Sequence, residues 1–223
     1  RRYAGARIHA LDFALPMLDH TRRKGRWLRR PHCVCGDMEQ LPLADDSMDL
    51  ICSNLAFQWA TDPQKLYREC LRVLRPNGLL MFTTFGPDTL YELRSAWAAV
   101  DDRSHVSPFM DMHDLGDILI NSGYAAPVMD VERIILTYGR VEELMRDLKN
   151  IGAHNATVQR QRGLTGKAKM QAMCDAYESF RRNGQLPASY EVIYGHAWAP
   201  AQKNKAGDVN VPLKMLIPGT GID

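Results

Sequence analysis

Two carboxylates stand where a ligand's hydroxyl and amino groups could be gripped. Asp12 closes the short apolar run from Ile8 to Leu11, and Asp37 follows a second short run that ends at Gly36. Asn54 and Trp59 come just after a third run, in "DLICSNLAFQW". In an open α/β sheet, ligands bind outside the carboxyl ends of the strands, so residues leaving successive strand ends share one cleft. A carboxylate accepts two hydroxyl donors at once, which suits a ribose diol. In nucleotide-binding units such an acid lies about 20 residues past a Gly-rich turn. Only eleven residues precede Asp12 here, and Gly5 is their one glycine.

Alternating strands and helices must position these residues. A helix is expected over Leu15 to Arg23, then a strand at His32 to Gly36. A third strand, Asp49 to Ser53, is apolar on both faces, as a central parallel strand should be. "DPQKLYRECLRVLRPNG" is a punctuated helix: Asp62 caps it and Pro63 suits its first turn. Leu66, Cys70, Val73 and Leu74 make one apolar face, and Gly78 lies past its end. "GLLMFTTFG" is the next buried strand, and this βαβ order calls for a parallel sheet with helices on both faces. Further on, helices are expected over "DTLYELRSAWAAV", Met112 to Ser122, Val141 to Lys149 and Lys167 to Arg182. Strands are expected at "VMDVERIILTY" and "YEVIYGHAWA". Residues 1–200 form one domain, with segments of about 88–122 and 141–183 as a lid. Residues 201–223 form a loosely attached polar tail.

Composition narrows the function classes. The 223 residues are 45% hydrophobic and 24% charged, an ordinary globular mix. A net charge of +2 gives no general argument for nucleic acid. Five scattered cysteines without a C-x-x-C pair read as reduced thiols of a cytoplasmic protein, with neither zinc site nor disulfide frame. No stretch of about 18 apolar residues suggests a membrane span. Arg22 to Arg30, "RRKGRWLRR", packs six cations into nine positions. It reads as a solvated basic loop or as a dock for an acidic partner.

Taken in order, Asp12, "GDMEQLP", "DLICSNLAFQW" and "LRVLRPNGLLMFTTFG" resemble the successive motifs of class I S-adenosylmethionine-dependent methyltransferases, over nearly the whole chain. The resemblance implies a Rossmann-like α/β sheet. It also implies that Asp12 holds the ribose diol, that Asp37 accepts the adenine amino group and that Met38 packs on the adenine. Asn54 would then begin the loop beside the methionine half. That family's first strand and Gly-rich loop have no counterpart in these 223 residues. The strand would lie mid-sheet, between those ending at Asp12 and Ser53, and its absence leaves two edges unpaired. The chain therefore reads as a fragment, expected to bind the cofactor poorly by itself.

"FTTFGPDTLYELRSAWAAVDDRSHVSPF", "DLKNIGAHN" and "LTGKAKMQAM" are similar to the malonyl-acyl-carrier-protein O-methyltransferases of biotin synthesis. This implies methyl transfer to the free carboxylate of a malonyl thioester on acyl carrier protein. "GPDTLYELR" is also similar to an arginine hydroxylase that serves as a mitochondrial complex I assembly factor. A non-catalytic, methyltransferase-like interaction module is a third possibility. A carboxylate is already ionised near neutral pH, so no catalytic base is nominated. Candidate contacts for the substrate are Trp59, Arg94, Lys149, Asn150, His154 and Asn155. No metal, nucleic-acid or membrane partner is expected, and the protein is expected to be a monomer.

Overall fold

A computed structural model of the chain describes residues 5–24, 30–150 and 166–203. Its elements are β1 (His9–Asp12), α1 (Leu15–Lys24), β2 (His32–Cys35), β3 (Met48–Asn54), α2 (Pro63–Val73), β4 (Leu74–Phe85), α3 (Tyr91–Ala98), α4 (Met112–Asn121), β5 (Ala125–Tyr138), α5 (Val141–Asn150), α6 (Lys167–Tyr177) and β6 (Leu186–Trp198). The α/β class and the element order follow the sequence expectation. The pairing is richer than a parallel sheet. β1 and β2 pair in parallel as a two-stranded sheet, and β3 pairs in parallel with β4. β6 then runs antiparallel between β4 and β5, giving the order β3-β4-β6-β5.

The expected central strand is where the reading needs correction. β3 hydrogen-bonds only to β4 among the described residues, and β1 only to β2. Leu50 and Cys52 are therefore exposed along the free edge instead of buried on both faces. The two sheets face each other across an open seam.

Local chemistry explains α2 and its abrupt exit. Asp62 accepts a hydrogen bond from the Lys65 amide at 3.0 Å, and Pro63 occupies the first turn. Leu66, Tyr67, Cys70 and Val73 are buried. The chain passes from Val73 straight into β4, so Gly78 lies inside the strand rather than just past the helix. The orphan carbonyls at that helix end are met from far along the sequence. The Lys203 ammonium donates to the carbonyl oxygens of Leu71, Arg72 and Leu74, as a cation at a helix C-terminus should. Of the tail expected to be loose, residues 201–203 are described, and Lys203 is held at this helix end.

Two cores result. In the first, α2 and α4 cover one face of β4 and β6, burying Leu66, Tyr67, Leu80, Phe82, Leu119 and Ile193. Met81, Tyr194 and Trp198 alternate with those positions and face outward. α4, expected to be part of the lid, belongs to this main core. The second core lies where β5 and β6 run on past the end of β4. There α3, α5 and α6 bury Leu93, Trp97, Leu144, Met173, Tyr177 and Leu186. Asp101 ties this layer together: Lys169 of α6 donates to it at 2.9 Å, and His105 Nε2 lies 2.7 Å from its other oxygen. The His105 ring stacks on Trp97 at 3.8 Å.

Candidate functional site

A cavity of about 700 Å³ opens along the seam between the sheets. Its walls bring together Asp12, Asp37, Met38, Ser53 and Trp59, which leave three different strand ends. That volume lies in the usual range for a small-molecule or cofactor site.

Each carboxylate is held by its own turn. Asp12 Oδ1 accepts the Ala14 amide at 2.8 Å, and Asp37 Oδ1 accepts the Glu39 amide at 2.8 Å. Both side chains keep Oδ2 without a protein partner among the described residues, which leaves acceptors for a ligand. Gly36 lets the chain reach Asp37 past a proline: a Cβ there would lie 2.7 Å from Pro42 Cγ. Ser53 Oγ is buried in the cavity wall with no hydrogen-bond partner among the described residues. An orphaned hydroxyl beside two acceptor carboxylates and an apolar thioether fits an adenosyl ligand, which brings hydroxyls, an amino group and a flat ring.

Asn54 is placed differently from the acids. It is exposed at the end of β3, and its Oδ1 accepts the Thr83 hydroxyl at 2.6 Å. Thr83 Oγ1 in turn accepts the Leu55 amide at 3.0 Å. Asn54 thereby fixes the turn at Leu55, whose φ of 48° is strained for a branched side chain. It is a positioning residue for the loop beside the cavity.

The substrate candidates separate. Trp59 ends a 3₁₀ turn, Phe57–Trp59, and lines the cavity that holds Asp12 and Asp37. Arg94 is committed to its own loop, where it donates to the carbonyl oxygens of Pro87 and Thr89, both at 2.9 Å. Asn150 lines a second, apolar cavity of about 370 Å³ with Leu55, Phe85 and Leu136. Lys149 is exposed in the last turn of α5. His154 and Asn155 lie outside the described residues.

The loop that carries Asp37 depends on residues not singled out from the sequence. Arg72 donates to the carbonyl oxygens of Leu41 and Leu43, both at 2.9 Å, and pairs with Glu69 and Asp45. Glu69 also accepts the Leu41 amide at 2.8 Å. Glu39 accepts the amides of Thr61 and Asp62, joining this loop to the start of α2. Arg72 stands inside "LRVLRPNG"; Glu69 is a helix neighbour three residues before it, but Leu41, Leu43 and Asp45 lie about 30 residues away and only the fold brings them to it.

This clamp has a pH signature. The hydrogen bond from Arg72 holds the Glu69 carboxyl below its ordinary value, against the opposing effect of desolvation. A carboxyl depressed in the folded state contributes stability that is complete above its unfolded value, about 4.3, and is lost as pH falls through the folded value. Arg72→Met is expected to cost about 2 kcal/mol at pH 7, a figure reduced for the partial exposure of the arginine. It should also flatten the loss of stability between about pH 5 and pH 3. Urea unfolding across that range checks this; parallel profiles for the two proteins would contradict it.

Comparison with known proteins bears on the fold and the family. A family profile described as a methyltransferase domain matches residues 1–82. A putative methyltransferase from Bacillus halodurans superposes with a TM-score of 0.60 at 17% identity, covering 87% of this chain and 84% of that one. The YcgJ protein of Bacillus subtilis gives a TM-score of 0.55 at 18% identity, over 85% and 81% of the two chains. These likenesses show the fold. Sequence relatives go further. The malonyl-[acyl-carrier protein] O-methyltransferase of Laribacter hongkongensis is 53% identical over 210 residues, 91% of this chain and 71% of that protein. The protein of that name from Methylovorus is 51% identical over 219 residues, 96% of this chain and 74% of its own length. With the adenosyl-type cleft in place and identity sustained over this length, the chain belongs to the malonyl-[acyl-carrier protein] O-methyltransferase family.

Proposed function

We propose that the protein transfers a methyl group from S-adenosylmethionine to the free carboxylate of a malonyl thioester carried on acyl carrier protein. The observation that carries this reading is the 53% identity to the Laribacter hongkongensis enzyme across nine-tenths of the chain, with Asp12, Asp37 and Met38 around one cavity. When bound, the cofactor supplies an electrophilic methyl group. The protein's part is placement. Asp12 accepts the ribose hydroxyls, Asp37 the adenine amino group, and Met38 covers the purine. Asn54 and Thr83 hold the Leu55 turn at the rim. The acceptor oxygen is ionised near neutral pH and needs no base, so alignment and exclusion of water account for the rate. The layer of α3, α5 and α6 serves as the cover that excludes water, and Asn150, exposed at the end of α5, as a substrate contact.

Two finer readings accompany this. The exposed cations at the end of α1, Arg22, Arg23 and Lys24, suit an acidic carrier protein, and steering by them would fade with salt. Residues 25–29 of that basic run lie outside the described residues. The edges of β1 and β3 that lack a strand partner among the described residues support a further strand seated in the seam, so assays belong in a chain extended to the length of its relatives.

The test is methylation of malonyl-carrier protein followed by intact-protein mass spectrometry. One methyl should appear on the malonyl carrier and none on the acetyl carrier, which has no free carboxylate. Equal labelling of both, or none on either by a cofactor-loaded protein, overturns the assignment.

A further inference from the structure

A third cavity, of about 350 Å³, lies between the 3₁₀ turn, the start of α2 and the start of α4. Phe57, Phe85, Phe109 and Met110 are among the residues of its wall. Phe57 is also a wall of the cofactor cavity, so the two spaces adjoin across one ring. The wall includes two residues whose polar atoms are buried and without a hydrogen-bond partner among the described residues: Tyr67, through its hydroxyl, and Gln58, through Oε1. Tyr67 is only 1% exposed. An orphaned buried polar group costs about 1–3 kcal/mol, and such atoms in a cavity wall mark a site that something else completes.

The chemistry of the pair is specific. Gln58 Nε2 donates to the Leu55 carbonyl at 2.6 Å, so its amide cannot be turned over without setting two oxygens together. Oε1 is therefore an acceptor that needs a donor. Burial keeps the Tyr67 phenol protonated far above neutral pH, so it remains available as a donor. One acceptor and one donor match the N–H and C=O of a secondary amide. The rest of the lining is apolar apart from Thr84 and the Asp114 carboxylate, and the latter would repel an anion. A malonyl carboxylate is thus poorly suited to this space, whereas a neutral, amide-bearing chain is well suited.

We propose that this cavity receives the pantetheine arm of the acyl thioester, with one of its amides held between the Tyr67 hydroxyl and Gln58 Oε1. The inference rests on the thioester reading above and deepens it. The arm would pass Phe57 and deliver the acyl group to the cofactor cavity, leaving the carboxylate outside the Asp114 field.

The test compares Tyr67→Phe with the wild type in the full-length enzyme, using malonyl-pantetheine and malonyl ethyl thioester, which has no amide. Tyr67→Phe should raise KM for malonyl-pantetheine about tenfold, leave kcat/KM for the ethyl thioester and S-adenosylhomocysteine affinity unchanged, and raise the melting temperature of the free protein by a few degrees, because it removes an orphaned hydroxyl. Equal losses on both substrates, or no loss on either, overturn the proposal; the latter would mean that only water completes the two atoms. Free pantetheine gives an independent readout by saturation-transfer NMR. Binding to the wild type that is lost in Tyr67→Phe supports the cavity even if no malonyl thioester is methylated, and absence of binding to the wild type counts against it.

Discussion

Asp12→Asn is expected to weaken S-adenosylhomocysteine binding by about 30- to 100-fold while leaving the fold intact. The asparagine keeps one oxygen for the Ala14 amide, so the turn after β1 survives. What is lost is the charge and the second acceptor, Oδ2, which in this account takes a ribose hydroxyl. Hydrogen bonds to a charged group contribute about 1.5–3 kcal/mol, about 10- to 150-fold in affinity, and the stated factor lies within that range. Asp37→Asn should cost less, about tenfold, because the adenine offers one amino group. Calorimetric titration of the extended chain measures both. Unchanged affinity in Asp12→Asn, with the wild type binding normally, would remove Asp12 from the site.

Gly195→Val should be the most damaging single change to the fold. Gly195 sits on β6 opposite Phe82 of β4, and a Cβ there would overlap the Phe82 ring. That ring cannot move freely. It packs against Tyr67 at 5.3 Å and Phe57 at 5.7 Å, and it is 3% exposed. Overpacking a dense core costs about 1–3 kcal/mol and more when no neighbour can yield. A loss of about 3 kcal/mol would lower the melting temperature of a chain this size by roughly 6–12 °C. Phe82→Leu should partly rescue Gly195→Ala, because the two positions compete for the same space. A Gly195→Ala protein that melts with the wild type, or a Phe82→Leu change that is simply additive, would contradict this packing.

The candidate cofactor acids were legible because their signal is local: an apolar run, then an acid, repeated in order along the chain. α2 was legible for the same reason, since Asp62, Pro63 and the apolar stripe are all within one segment. The exposed edge of β3 was not, because "DLICS" has the composition of a buried strand whether or not its neighbour is present. Arg94 looked like a free cation from its place after a strand; its loop carbonyls claim it only once residues 86–90 are folded. Lys203 carried no local mark, and Arg72 only its helix spacing to Glu69, which says nothing of the loop it holds. The backbone carbonyls that Arg72 and Lys203 bind lie about 30 and about 130 residues away, and long-range pairing leaves no period in the sequence. The Tyr67 hydroxyl, without a partner among the described residues, was invisible for a related reason: the pattern places Tyr67 on a buried helix face but says nothing of whether its oxygen finds a partner.

The claim on which the rest depends is that side chains from successive strand ends surround one adenosyl group. A crystal structure of the extended protein with S-adenosylhomocysteine tests it most directly. The account predicts Asp12 within hydrogen-bond distance of both ribose hydroxyls, Asp37 on the adenine amino group and Met38 against the purine face. A nucleoside bound elsewhere, or bound in the seam with Asp12 and Asp37 turned from it, would contradict the account.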